Sequence, residues 1–274
     1  MNLNKRIFGM LMMVVALLLV SQSGSASVLI VGGDSAADIN DVQNKIASTG
    51  LVTGPIDTFD FFNGTPTLAN VQAYDAVFFW HDFGGDLSAF GDVLADYVDS
   101  GGGVVLGVFS NASGGLGGRW ASGGYDPLNP AGQINGPQLF LGTVHNPAHP
   151  VMDGVSTFDG GSGSWRSTGG VNPGATLIAE WSNGDPLITE MPGFNGRIIS
   201  LNFLPPSSDS GTNSSFWNPA TDGDLLMANA VTYVSSQIPV VPQSIPTLSE
   251  WGMIVMSLIL TGSAFWMIRR RQIA

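Results

Sequence analysis

Apolar residues are distributed along this chain in two distinct ways. At each end lies one long unbroken run: residues 7–20 near the start and residues 251–268 near the end. Between them the runs are short and alternate with stretches in which apolar positions recur every three or four residues. Residues 28–34 (VLIVGGD) are a short apolar run ending in glycines, the pattern of a buried parallel strand whose carboxyl end opens into a loop. Residues 36–48 place Ile39, Val42 and Ile46 at helical spacing. Further strands are predicted over 56–61, 74–80 and 104–109. The helix expected over 87–98 sets Phe90, Leu94 and Val98 on one face and ends at Gly101-Gly102-Gly103. Strand–helix alternation with short connections predicts right-handed crossovers and a mainly parallel sheet covered on both faces.

The second half is less periodic. Residues 110–142 are rich in Gly, Pro and Asn and contain Gly117-Gly118-Arg119-Trp120 and Gly123-Gly124-Tyr125. Strands are predicted over 175–181, 186–191 and 197–203, with turn residues between them. A closing helix is expected over 222–234, with Leu225, Ala228 and Val231 facing inward. No internal repeat is visible.

The terminal runs read as addressing segments. Lys5 and Arg6, the apolar run 7–20 and Gly24-Ser25-Ala26 are the charged start, apolar centre and small-residue cleavage site of a secretory signal, assigned to residues 1–26. A helix over 7–20 would rise only about 21 Å, short of the bilayer core. Residues 251–268 lack any charge and approach the length of a transmembrane helix. Arg269, Arg270 and Arg271 follow at once and belong on the cytoplasmic side. The prolines of residues 237–244 mark an extended linker. Ile245-Pro246-Thr247-Leu248-Ser249-Glu250-Trp251-Gly252, with the apolar run and the Arg cluster behind it, resembles the IPTL-CTERM sorting signal, a relative of PEP-CTERM. The resemblance assigns residues 245–274 to that signal and implies a double-membraned bacterium. It further implies export through the secretion translocon, a transient stay in the inner membrane, and recognition by an exosortase that removes the tail. The destination is then the cell surface or extracellular matrix. A plain membrane anchor would need the apolar run but not the motif.

Setting both ends aside leaves residues 27–236, about 210 residues, enough for one domain with a sizeable core. The chain contains no Cys, which excludes disulfides, thiol nucleophiles and thiolate metal ligands. Its net charge is −12, and the middle carries only Lys45, Arg119, Arg166 and Arg197 as cations. So acidic a body excludes nucleic acid as a partner, because counterion replacement needs clustered cations. The same acidity keeps an exported protein soluble.

The order of elements over residues 28–235 resembles the class I glutamine amidotransferase-like fold, a flavodoxin-like three-layer sandwich that includes trehalose-utilisation-type proteins. The segments that carry it are Tyr97-Val98-Asp99-Ser100-Gly101-Gly102-Gly103, His149-Pro150-Val151-Met152-Asp153-Gly154-Val155 and Gly196-Arg197-Ile198-Ile199-Ser200-Leu201-Asn202-Phe203. The family implies a nucleophilic Cys after the strand at 104–108 and a His and Glu after a late strand. Here the Cys is missing and Leu204 and Pro206 stand where the His and Glu would be. Glutamine hydrolysis is therefore excluded.

Other chemistry is open to the remaining residues. Ser110 lies just past the fourth strand, at the edge where open sheets carry sites, but without the G-x-S-x-G spacing of a nucleophile elbow. A loop serine closing its own turn is the competing account. His81, His145 and His149 are the only imidazoles, and all three convene on one sheet edge if the loops allow it, as a general base or metal ligands. Pro147 breaks the helical register between the last two. Gly32-Gly33-Asp34-Ser35 lacks a phosphate-loop lysine and reads as a turn with Ser35 capping a helix. Arg119 and Trp120 are candidates for stacking a sugar or holding a carboxylate, with Trp80, Trp165, Trp181 and Trp217 as further aromatics. Internal pairing of Arg119 and burial of Trp120 is the reading preferred here. The sequence thus predicts a binding body without catalysis, cofactor or metal, an extracellular polysaccharide or protein being its partner. Its alternative is a hydrolase of glycans or esters using Ser110 and a histidine.

Overall fold

The computed structural model describes residues 26–236. Residues 1–25 of the export segment, the linker and the C-terminal sorting tail lie outside the described residues. Among the described residues no helix is long and apolar enough to cross a membrane.

Among the described residues ten strands form in chain order: β1 Val28–Gly33, β2 Ile56–Asp60, β3 Ala76–His81, β4 Gly103–Leu106, β5 Gln133–Ile134, β6 Leu141–Val144, β7 Arg166–Ser167, β8 Thr176–Trp181, β9 Pro186–Met191 and β10 Ile198–Leu201. Five α-helices accompany them: α1 Ala36–Ser48, α2 Leu68–Val71, α3 Leu87–Asp99, α4 Gly118–Ser122 and α5 Gly223–Ser235. Eight strands make one sheet in the order β2-β1-β3-β4-β10-β9-β8-β6, while β5 and β7 pair separately. The first five are mutually parallel and β9, β8 and β6 run antiparallel to their neighbours. This is a mixed α/β fold with a large, mostly parallel sheet. The antiparallel edge was not anticipated. A tight turn, with Trp181 N donating to Asp185 O at 2.8 Å, joins β8 directly to β9, and so short a link permits only an antiparallel pair.

Alternation along the strands sorts the core into two layers. Val28, Ile30, Phe78 and Trp80 point to the face covered by Ile39, Val42 and Ile46 of α1 and Leu226, Met227 and Val231 of α5. Leu29, Val31, Val77 and Phe79 point to the face covered by Phe90, Leu94 and Val98 of α3. Both strand faces are buried, which is why the runs read as continuously apolar. Ser35 and Asp86 start α1 and α3 as side-chain caps, Asp86 accepting from Ser88 N and Ala89 N at 3.0 Å. In α5 the inward residues include Leu226 and Met227, while Leu225 is only half-buried, a shift from the predicted face.

The described chain enters at the amino end of β1 and leaves at the end of α5, beside the start of β4. A Cβ at Gly103 would lie 2.2 Å from Val234 O, so nothing larger than glycine fits there. Both exits therefore share the amino edge of the sheet, and the carboxyl edge is the opposite end.

Candidate functional site

At the carboxyl end of β4 the chain turns through Val108 and Phe109, whose amides donate to Phe203 O and His81 O, both at 3.1 Å. This contact brings together the segments that supply the triad in amidotransferases. Ser110 sits here, 1% exposed, and its hydroxyl donates to Gly107 O. That bond closes the serine's own turn and directs its proton away from any imidazole. Leu204 and Pro206 are buried, filling with hydrocarbon the positions where a base and carboxylate would stand. Next to Ser110, Asn111 Nδ2 donates to Ser200 Oγ at 2.7 Å, another bond internal to the fold.

The three imidazoles do not meet. His81 ends β3 at the carboxyl edge, edge-on to Phe61 with ring centres 6.1 Å apart, and burial lowers its pKa. His145 follows the outermost strand β6, its Nε2 3.1 Å from Glu180 Oε1. His149 is buried with its Nδ1 accepting from Val151 N at 3.2 Å and its Nε2 3.4 Å from Glu190 Oε2. Glu190 pairs with Ile199 near the start of β10, so His149 belongs to the amino half of the sheet, against Tyr233 of α5. Burial pushes Glu190 up, but the contacts from His149 and Tyr233 outweigh it, and the carboxyl ends below its ordinary range. The three histidines thus have separate surroundings, His81 against Phe61, His145 beside Glu180 and His149 beside Glu190. Among the described residues no group of three His, Cys, Asp or Glu is placed to hold a metal ion.

Arg119 and Trp120 form a closed unit. The guanidinium pairs with Asp96 and, at 2.5 Å, with Asp99, and contacts Tyr125 Oη at 3.2 Å. Trp120 is fully buried and stacks on Tyr125 at 5.3 Å, which in turn stacks on Phe194 at 4.2 Å. Trp80, Trp181 and Trp217 are also buried, and Trp165 packs edge-on against Phe109. Trp80, Trp120, Trp181 and Trp217 thus present no free face for a sugar, and Trp165 is partly buried.

Two residues that the sequence left unremarked lie in the loops after β2 and β3. Phe62 and Phe83 are 63% and 55% exposed, the most exposed large apolar side chains of the described chain. Asp34, after β1, accepts from Ser35 N at 2.7 Å and from Trp80 Nε1 at 3.4 Å. Burial, opposed by the Ser35 amide and reinforced by Asp38, raises its pKa to about 7. Asp38 is buried and accepts from Ser35 Oγ and Thr212 Oγ1, both at 2.5 Å. Burial and Asp38 also raise Asp82. A sequence signal existed: Phe62-Asn63-Gly64 and Phe83-Gly84-Gly85 each place a phenylalanine beside loop residues, outside any apolar period. At the opposite edge Gln72, Tyr74, Asp75 and Tyr97 line a cleft of about 150 Å³. It is smaller than the usual range for organic ligands.

Solved structures place this architecture. A ThuA-like protein from Bacteroides uniformis superposes with a TM-score of 0.57 at 14% identity, covering 80% of this chain and 95% of that one. One from Parabacteroides merdae gives 0.50 at 15% identity over 81% and 95%. A cytoplasmic protein of Salmonella typhimurium gives 0.51 at 13% identity over 76% and 99%. At such identities the likeness is one of fold: the body is similar to ThuA-like, amidotransferase-like domains. Residues 243–272 match the IPTL-CTERM motif, which supports the sorting-signal reading of the tail. No curated protein matches the chain at a significant level.

Proposed function

We propose that this chain is an exported surface or extracellular-matrix protein, sorted by an exosortase, whose amidotransferase-like body binds a ligand without catalysing a reaction. The observation that carries the reading is the IPTL-CTERM match over residues 243–272. Behind it stands the filled triad region: no Cys, Ser110 bonded to Gly107, and Leu204 and Pro206 buried. In this account the segment 1–26 opens export through the translocon. The apolar run 251–268 then holds the intermediate in the inner membrane with Arg269, Arg270 and Arg271 inside. The processing enzyme reads Ile245, Pro246, Thr247, Leu248, Trp251 and Gly252, and the body (27–236) is released to the surface behind the linker 237–244. An extracellular polysaccharide is the ligand class that fits a matrix component.

Cell fractionation tests this. Pro246→Ala with Thr247→Ala is expected to leave the body folded but to shift the protein from the surface fraction to the inner membrane. Arrival at the surface in wild-type amounts would refute sorting by this motif.

A further inference from the structure

Ser27 is the last residue before β1, and its nitrogen meets a carboxylate. Ser27 N and Ser27 Oγ both donate to Asp75 Oδ2 at 2.8 Å. In return Asp75 N donates to Ser27 O at 3.0 Å and Ala76 N to the same oxygen at 3.1 Å, so the pairing of β1 with β3 fixes the residue in place. Asp75 itself meets no Lys or Arg. Among the described residues Lys45 pairs with Asp209, Arg119 with Asp96 and Asp99, and Arg166 with Asp185, while Arg197 bonds Tyr233 O and Ser236. The charge of Asp75 reaches the small cleft it lines with Gln72, Tyr74 and Tyr97, where it adds to burial in pushing the Tyr97 hydroxyl up. A half-buried carboxylate aimed at a backbone nitrogen, with no side-chain cation beside it, is complementary to a positive charge on that nitrogen.

The export cut supplies that charge. Water, under a signal peptidase, splits the Ala26–Ser27 amide: the carboxylate leaves with residues 1–26, and the new amine on Ser27 takes a proton, remaining an ammonium below about pH 8. We infer that Asp75 captures this α-ammonium as an ion pair, so that the body ties the start of β1 to the start of β3 by charge only after the export segment has been removed. The inference rests on the export reading above and assigns its cut to one bond. Register decides which. One residue later the new nitrogen would be Val28 N, which donates to Pro55 O at 2.9 Å, a neutral carbonyl. One residue earlier the charge would fall on Ala26 N, and Ser27 N would stay an uncharged amide. After the cut at Ser27 the same nitrogen carries three donors instead of one, each strengthened by the charge. The pairing of β1 already holds Ser27 against Asp75, so little further freedom is lost in forming the pair.

Protein isolated from the producing cells is first sequenced from its N-terminus, where Ser27 is expected. It is then treated at neutral pH with an acetylating N-hydroxysuccinimide ester, folded and in urea, and acetylation of the Ser27 amine is followed by peptide mass spectrometry. Only the uncharged amine reacts, so capture is expected to slow the folded protein about tenfold. Asp75→Asn, which keeps the shape and removes the charge, should recover most of that rate. Lys45, the other amine of a chain trimmed of Lys5, should react alike in both proteins. The pH at which the folded wild type becomes reactive gives a second readout that needs no variant. An ion pair with Asp75 moves it above the value in urea, whereas burial alone moves it below. The tyrosines of the cleft do not confuse the reading, since burial pushes both hydroxyls up and Tyr74 Oη donates to Asp57 at 2.9 Å. Acetylation as fast in the folded protein as in urea would overturn the inference. So would a downward shift, or a slow rate that Asp75→Asn leaves unchanged. A chain that starts elsewhere refutes the cut on which the inference rests; one that starts at Ser27 with a freely reactive amine sinks the capture alone and spares export.

Discussion

Raising the pH from about 5 to about 8 should destabilise the body by several kcal/mol. Asp126 is 4% exposed; one carboxylate oxygen accepts from Leu128 N at 3.2 Å and the other has no partner. Burial raises its pKa to about 7 from an ordinary 3.8, with the Leu128 amide opposing only in part. Between these values the folded state holds a proton that the unfolded chain has lost. Stability therefore falls with rising pH across that window and levels off above about 7, a change of about 4 kcal/mol over the whole window and about 3 kcal/mol between pH 5 and pH 8. Asp34 acts in the same direction, weakened by its partial exposure to solvent. The acid limb has another origin. Hydrogen bonds from Ser156 and Thr157 outweigh burial and lower Asp222, so its stabilisation is lost only as the pH falls through its depressed pKa. The optimum is thus expected on the acidic side of neutrality. Urea midpoints at pH 5 and pH 8 measure the effect, and Asp126→Asn should flatten most of the difference. Equal midpoints in the wild type would contradict the burial of an unpaired carboxyl.

Trp120→Ala carries the second large effect. The indole is fully buried between α3 and the stacked rings of Tyr125 and Phe194, beneath the Arg119 ion pairs. Its removal leaves a cavity that rigid neighbours cannot fill, at a cost of about 3–5 kcal/mol. For a domain of this size the thermal midpoint should fall by about 10 °C. A residue that contacts ligand from the surface would leave the midpoint almost unmoved. Circular dichroism melting therefore distinguishes the packing role from the sugar-stacking role that the sequence also allowed.

The parallel half of the fold was legible because both faces of its strands are buried. Residues 28–33 and 76–81 have almost no exposed position, and α3 shows its apolar face at i, i+4, i+8. Residues 110–170 gave no such pattern because long-range polar contacts hold them. Asn202 accepts from Ser167 N at 2.7 Å and donates to Ser167 O at 3.1 Å, thirty-five residues away, and Asn172 donates to Asp126 O and Leu128 O at 2.9 Å. Bonds of that kind leave no local period, so β5, β6, β7 and α4 went unread. Ser110, His81, His145 and His149 drew attention by residue type, yet type says nothing of which sheet edge a loop reaches. Phe62 and Phe83 were overlooked for the converse reason. Phenylalanine reads as core until the structure puts it in solvent.

The central claim is that the C-terminal tail is a sorting signal, and intact-mass analysis of the mature protein tests it most directly. From cells with the processing enzyme, the account predicts a chain lacking the first 26 residues and ending near Ile245. Cells without the enzyme should yield a chain that retains Arg269, Arg270 and Arg271. A protein of the same full-length mass in both strains, found in the cytosol, would contradict it.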